Sequence, residues 1–87
     1  MSVLQFVYIV IIADNLNMNK ELLKKLAKRI KELRKEHGYT QDDLSFKAGI
    51  ERSTLGNIET AQNDLTFTKV DKIAKAFNLT LAEFLNF

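Results

Sequence analysis

The sequence predicts an all-α domain of five helices preceded by one N-terminal β-strand. Apolar residues recur at three- and four-residue spacing through most of the chain, which is the period of an amphipathic helix. The 87 residues include no proline and only three glycines, a composition that suits short helices better than a turn-rich β fold. Residues 3–12 are the exception, because they are apolar and rich in β-branched side chains.

These residues, Val-Leu-Gln-Phe-Val-Tyr-Ile-Val-Ile-Ile, predict the strand because β-branched and aromatic side chains favour extended backbone. The run is much shorter than the roughly 20 apolar residues that cross a bilayer, and no basic residue precedes it. We therefore expect neither a membrane partner nor a signal peptide. A polar break at residues 14–17 divides the chain into a strand and linker, residues 1–17, and a helical domain, residues 18–87.

A single strand in a helical domain would leave its backbone N–H and C=O groups unpaired. One hypothesis is that residues 1–17 are a dimerisation arm, in which Phe6, Tyr8 and Val10 contact the same strand of a second chain. The other hypothesis is that Met18 is the biological start and that the preceding residues come from an upstream start.

The first predicted helix runs from Asn19 to His37 and ends at Gly38. Its inward residues follow the helical period: Leu22, Leu23, Leu26, Ala27, Ile30 and Leu33. Its outer face is basic, with Lys20, Lys24, Lys25, Lys28, Arg29, Lys31, Arg34 and Lys35. A run of charges is more often a solvated surface that keeps a small protein soluble. Only the helix-turn-helix pattern that follows favours the reading in which this face lies along the phosphates of a nucleic acid.

Residues 38–59 predict two short helices joined by a tight turn. Thr40 and Asp43 form a variant of the capping box that starts the first of the two. Gly49 suits the turn because glycine adopts positive φ without steric cost. In the next helix, which starts near Arg52, the apolar residues lie on one face and small polar or cationic side chains on the other. Two helices arranged in this way form the shape that enters a DNA major groove.

Two further helices complete the domain. Thr66 can cap the fourth, whose inward residues are Phe67, Val70, Ile73, Ala74 and Phe77. Asn78 is a suitable left-handed stop. Thr80 and Glu83 form a second capping box, which opens a last short helix that contributes Leu81, Phe84 and Leu85.

Several motifs in residues 20–87 occur in an order that resembles the helix-turn-helix domain of the lambda-repressor/Cro type, the XRE family. They are Arg-Ile-Lys-Glu-Leu-Arg (29–34), Gly-Tyr-Thr-Gln-Asp-Asp-Leu (38–44), Lys-Ala-Gly-Ile (47–50), Ser-Thr-Leu-Gly-Asn-Ile-Glu (53–59) and Lys-Ile-Ala-Lys-Ala-Phe-Asn-Leu (72–79). Residues 63–67, Asn-Asp-Leu-Thr-Phe, are similar to a loop in controller proteins of restriction–modification systems. The resemblance implies a five-helix lambda-repressor-like fold.

The resemblance also implies roles for individual residues. The positions that match base-contacting residues of the recognition helix are Arg52, Ser53 and Asn57. Those that match contacts to the DNA backbone are Gln41, Thr54, Asn63 and Thr66. Arg34 and Glu59 match a buried ion pair between the first and third helices. The family's usual dimer contacts, through the last helices, match Leu81, Phe84 and Phe87.

Some positions have a second reading. Arg52 could pair with Glu51 or with a carboxylate of the first helix instead of with DNA. Gly56 replaces the larger side chains common in the family, costs about 1 kcal/mol of helix stability relative to alanine, and could permit close approach to a base or sugar. Phe46 and Phe87 fall outside the core spacing, so we expect them to face a partner.

The expected function is sequence-specific binding of double-stranded DNA by a cytoplasmic homodimer that regulates transcription from an inverted-repeat operator. With no cysteine and one histidine, the chain offers no catalytic group, metal site or cofactor site, so we expect no enzyme. One alternative is an antitoxin that binds operator DNA and a toxin partner. Another is a protein-interaction module with the same fold, which the net charge of only +2 allows.

Overall fold

The computed structural model describes residues 2–7, 19–62 and 65–87, and these residues contain helices and no strand. Helix α1 covers residues 3–7. The remaining helices are α2 (Asn19–His37), α3 (Gln41–Ala48), α4 (Arg52–Glu59), α5 (Phe67–Ala76) and α6 (Leu81–Phe84). Helices α2 to α6 lie where the sequence predicted them. None of the helices in the described ranges combines the length and apolar character needed to cross a membrane.

The predicted N-terminal strand is wrong for residues 3–7, and the described helices number six instead of five. Ser2 and Gln5 form a reciprocal capping interaction: the Gln5 N–H donates to Ser2 Oγ (3.1 Å) and the Ser2 N–H donates to Gln5 Oε1 (3.2 Å). Ser-x-x-Gln is a helix-start signal, and here it overrides the extended preference of the β-branched side chains. The rest of the predicted strand, residues 8–12, lies outside the described residues.

Helix α1 packs against the C-terminal end of the same chain. Phe6 is 3% exposed, and its ring meets the Phe87 ring edge-on with 5.4 Å between centroids. Phe6, which we expected to contact a second chain, is buried in the core of its own chain. Tyr8 and Val10, the other members of the predicted arm, lie outside the described residues.

Buried side chains from α2, α3, α4, α5 and α6 meet in one core. Its largest fully buried members are Phe77, Phe84, Ile30, Leu44, Leu55, Ile73 and Leu85. Phe84, which we expected to be a dimer contact, has no exposed surface. Phe87 is 40% exposed and remains at the surface.

Candidate nucleic-acid interface

The turn between α3 and α4 is set by local backbone geometry. Gly49 has a φ of 67°, in the left-handed region, and its N–H points back to the carbonyls of Phe46 and Ser45. The Ile50 N–H donates to Ser45 O at 3.0 Å. This is the usual way in which a helix ends at a glycine, and it lets α4 begin after only three residues.

A capping box fixes the start of α3. The Thr40 N–H donates to Asp43 Oδ2 (2.9 Å), and the Asp43 N–H donates to Thr40 Oγ1 (3.0 Å). The hydrogen bond from the Thr40 backbone, followed by that from its side chain, lowers the pKa of the Asp43 carboxyl below its ordinary value of 3.8. The carboxylate thus stays ionised at the positive end of the α3 dipole.

Helix α4 buries one face and presents the other to solvent. Leu55, Ile58 and Glu59 are buried. Ser53 is exposed and Asn57, one turn further along, is half-buried, so that these two predicted base-contacting residues share one side of the helix. Arg52 is exposed in the first turn. The face is polar and carries a cationic end, as a helix that reads base edges requires.

The start of α4 differs from that of α3. Glu51 occupies the N-cap position, but its side chain makes no capping hydrogen bond. The first N–H groups of α4 therefore lack a side-chain acceptor on the exposed side of the domain.

Arg34, Gln41 and Glu59 form one polar network between three helices. Arg34 donates to Glu59 through Nε (3.1 Å) and Nη2 (3.2 Å), and its Nη1 donates to Tyr39 O (3.1 Å). Gln41 Nε2 donates to Glu59 Oε1 at 2.9 Å. The Glu59 side chain is 2% exposed and that of Arg34 is 22% exposed. The network holds the start of α3 and the end of α4 against α2, and the half-buried Gln41 amide is bonded to Glu59.

Arg52 has a partner that the sequence analysis did not name. Its Nε lies 3.1 Å from Oδ1 of Asp42, which is on α3, not from Glu51 or a carboxylate of α2. In the sequence, Asp42 indicates only the start of a helix, because an acidic residue in a first helical turn complements the dipole. Its distance from Arg52 depends on how α3 crosses α4, which the sequence does not give.

An open, polar cleft of about 420 Å³ lies beside this ion pair. It is lined by Arg34, Gly38, Tyr39, Thr40, Gln41, Asp42 and Arg52. The cleft therefore joins the start of α3 to the first turn of α4. Within the described ranges, no three His, Cys, Asp or Glu side chains are grouped to hold a metal ion.

Two of the other predicted backbone contacts, Thr54 and Thr66, lie within the described residues. Thr54 is half-buried in α4. Thr66 is exposed, and its hydroxyl accepts a hydrogen bond from the Lys69 N–H (3.3 Å) at the start of α5. Asn63 lies outside the described residues.

Several basic side chains of α2 have partners within the chain. Arg29 donates from Nε to Phe84 O (3.0 Å) and from Nη2 to Glu83 O (3.1 Å), and so holds α2 against the end of α6. Lys24 pairs with Glu21 and Lys28 pairs with Glu32, both along the helix surface. These contacts favour the structural and solvating reading of α2 over a phosphate-binding one.

The fold, and the exposed polar face of α4 after the tight turn from α3, define a helix-turn-helix protein. Residues 30–84 match the profile of the helix-turn-helix family HTH_3, and the chain belongs to that family of XRE-type DNA-binding transcription regulators. The α2–α6 arrangement is the one that the sequence motifs implied.

Three similar proteins illustrate the range of this family. Antitoxin HipB of Escherichia coli K12 is 34% identical over 56 residues, which are 64% of this chain and 64% of HipB, so this chain spans just under two thirds of that relative. The restriction-modification controller protein C.AhdI of Aeromonas hydrophila is 32% identical, with a TM-score of 0.69 over 72% of this chain and 96% of C.AhdI. The controller protein C.Esp1396I, solved as a tetramer with its natural 35-base-pair operator, is 33% identical, with a TM-score of 0.69 over 72% of this chain and 83% of that one.

Proposed function

We propose that this chain is a transcriptional regulator that binds a specific double-stranded DNA sequence as a homodimer in the cytoplasm, without enzymatic activity. One observation carries the proposal: α4 is held by its buried face while Arg52, Ser53 and Asn57 remain accessible on the other. Membership of the helix-turn-helix family supports it, as does the operator complex of C.Esp1396I. All of these residues belong to the proposed binding unit, residues 18–87.

In the proposed complex, α4 enters the major groove. Arg52 has the donors for a bidentate contact to guanine O6 and N7, and Asn57 can pair with adenine in the same way. Each such contact is worth roughly 1–3 kcal/mol of discrimination between bases. Thr54 and Thr66 would contact the DNA backbone, and these contacts should make affinity fall steeply with salt.

A homodimer would present two copies of α4 to one side of the duplex. Its two-fold symmetry would match an inverted repeat with half-sites about one helical turn apart. Such a protein suits repression, or the self-regulating control of a restriction–modification operon.

Selection from a random pool of DNA duplexes at moderate salt tests this function. The wild-type chain should enrich an inverted repeat, and Arg52→Ala/Asn57→Ala should not. Lys24→Ala is a matched control, because it also removes a cation but lies on α2 and pairs with Glu21. If the wild-type chain enriches no motif, the regulator proposal is rejected in favour of a protein-interaction module with the same fold.

The likeness to HipB favours a second candidate, an antitoxin that binds operator DNA and also neutralises a toxin. The test is co-expression with the product of a neighbouring reading frame. A product that stops growth, and that co-purifies with this chain when growth is restored, supports the antitoxin. A neighbour that is harmless when expressed alone contradicts it.

A further inference from the structure

The Arg52 guanidinium lies between two groups, one on α3 and one on α4. On one side is Asp42 of α3, whose Oδ1 is 3.1 Å from Arg52 Nε. On the other is Gly56, one turn along α4. A Cβ atom built on Gly56 would lie 3.2 Å from Arg52 Nη1. Apart from the neighbouring residues and the nearby backbone of α4, no other described atom would lie within 4 Å of it. A methyl group at position 56 would therefore press against the guanidinium, which would have to move by a few tenths of an ångström.

Folding gains only the weak dipole effect of a first-turn carboxylate from Asp42, and it does not explain Gly56. The side chains of Arg52 and Asp42 are 50% and 83% exposed, and ion pairs at such sites contribute little to stability. The φ of Gly56 is not positive, so the backbone does not require glycine there. Alanine would be the better helix former. Asp42 also places a negative charge next to a surface that the proposed function brings against phosphates.

Both features make sense if they position Arg52. The ion pair with Asp42 is made at Nε, and the approach of Nη1 to Gly56 restricts where the guanidinium can lie. Nη1 and Nη2 are left for the parallel pair of hydrogen bonds that guanine O6 and N7 accept. A long side chain that is already held loses less rotamer freedom when it binds.

We propose that Asp42 and Gly56 are positioning residues that hold Arg52 for recognition of a guanine in the major groove. This inference rests on the proposed function. The inference predicts two opposite effects for each substitution. Replacing Asp42 should maintain or raise affinity for unrelated DNA, and replacing Gly56 should raise the melting temperature, yet both should impair recognition of one base pair.

The test uses the full chain, the duplex enriched by the wild type, and the same duplex with the guanine pair that Arg52 reads changed to A·T. That pair is identified by the preference lost in Arg52→Ala. Wild-type protein should discriminate between the two duplexes by about 5- to 150-fold. Asp42→Asn should lower this ratio by about three- to tenfold, while affinity for unrelated DNA stays equal or rises because a negative charge is removed.

Asp43→Asn is the matched control, since it removes the neighbouring carboxylate, which caps α3 and does not pair with Arg52. It should leave the discrimination ratio at the wild-type value, and circular dichroism checks that it folds. Gly56→Ala should raise the melting temperature, because alanine favours the helix, and should lower the discrimination ratio by a few-fold.

The outcomes separate the two proposals. If the wild type enriches no motif, both fail. If the wild type enriches a motif but Asp42→Asn and Gly56→Ala keep its discrimination ratio, or if Arg52→Ala loses no base preference, the positioning inference is overturned and the regulator stands. Equal tightening of Asp42→Asn on both duplexes also overturns it, since that would be a charge effect alone.

Discussion

Glu59 shows how much of the interface depends on one buried side chain. Its carboxylate accepts hydrogen bonds from Arg34 and Gln41, and it ends the same helix that carries Arg52 and Asn57. Loss of the carboxylate would leave a guanidinium that is mostly buried with only the Tyr39 carbonyl as partner. The orientation of α4 and the stability of the fold should therefore change together.

We expect Glu59→Ala to lower the free energy of unfolding by about 3 kcal/mol, the lower end of the range for breaking a buried pair, because Arg34 keeps 22% of its surface exposed. Urea unfolding measures this. Glu21→Ala is the matched control: it removes the partner of Lys24 at a site where the Glu21 side chain is 78% exposed, and should change stability by less than about 0.5 kcal/mol. Similar unfolding midpoints for the two variants would contradict the role given to Glu59.

Ala61 offers a substitution with the opposite effect. Its φ is 56°, in the left-handed region that penalises a side chain. It follows α4, where the Gln62 N–H closes the turn on Asn57 O at 2.9 Å. Ala61→Gly should raise the free energy of unfolding by about 0.5–1 kcal/mol, because the relief of left-handed strain outweighs the greater entropy that glycine loses on folding. Ala82→Gly, in α6, is the control and should be destabilising. A destabilised Ala61→Gly variant would show that this backbone is not strained.

The sequence could predict the positions of side chains that depend on local chemistry alone. The outward positions of Ser53 and Asn57 follow from the helical period. The pairing of Arg52 with Asp42 joins residues on different helices and depends on their crossing, so no spacing rule predicts it. The same crossing turns Gln41 toward Glu59.

The helices are delimited by short capping interactions. The capping boxes of α3 and α6 are Thr40 with Asp43 and Thr80 with Glu83. In both, the bonds lie within four residues, which is why the sequence predicted these starts. Residues 3–7 obey the same rule through Ser2 and Gln5, although their β-branched composition favours a strand. The burial of Phe6 against Phe87 then stabilises the helical form, and no local pattern indicates that contact.

The capping boxes should make stability depend on acid pH. Hydrogen bonds from Thr40 lower the pKa of Asp43 below 3.8, and those from Thr80 lower the pKa of Glu83 below 4.5. Because both values are lower in the folded state, their stabilising effect is complete above the ordinary values and is lost as the pH falls through the lowered ones. Carboxyl carbon shifts followed by NMR should titrate below 3.8 for Asp43 and below 4.5 for Glu83, with helix content falling over the same interval. Titration at or above these values would contradict the capping geometry.

The two ends of the chain meet in the folded molecule. Phe6 of α1 lies on Phe87, and the same core contains Phe84 and Leu85. Arg29 of α2 also holds the end of α6, because its Nε donates a hydrogen bond to Phe84 O. The last helix, which the sequence analysis assigned to dimer contacts, is therefore partly covered by residues of its own chain. A second copy would have to use what remains exposed, including Phe87.

This covering predicts unequal effects for two apolar residues of α1. Phe6 is 3% exposed and Leu4 is 82% exposed, two positions apart in one helix. Phe6→Ala should lower the free energy of unfolding by about 1.5–3 kcal/mol, the value for burying such a side chain, whereas Leu4→Ala should change it by less than about 0.5 kcal/mol. Urea unfolding gives both values, and sedimentation of the same samples gives the mass in solution. If residues 1–17 are instead a dimerisation arm, Phe6→Ala should lower the mass of the assembly with little loss of stability in the separated chains. That result would restore the arm hypothesis and reject the intramolecular packing of α1.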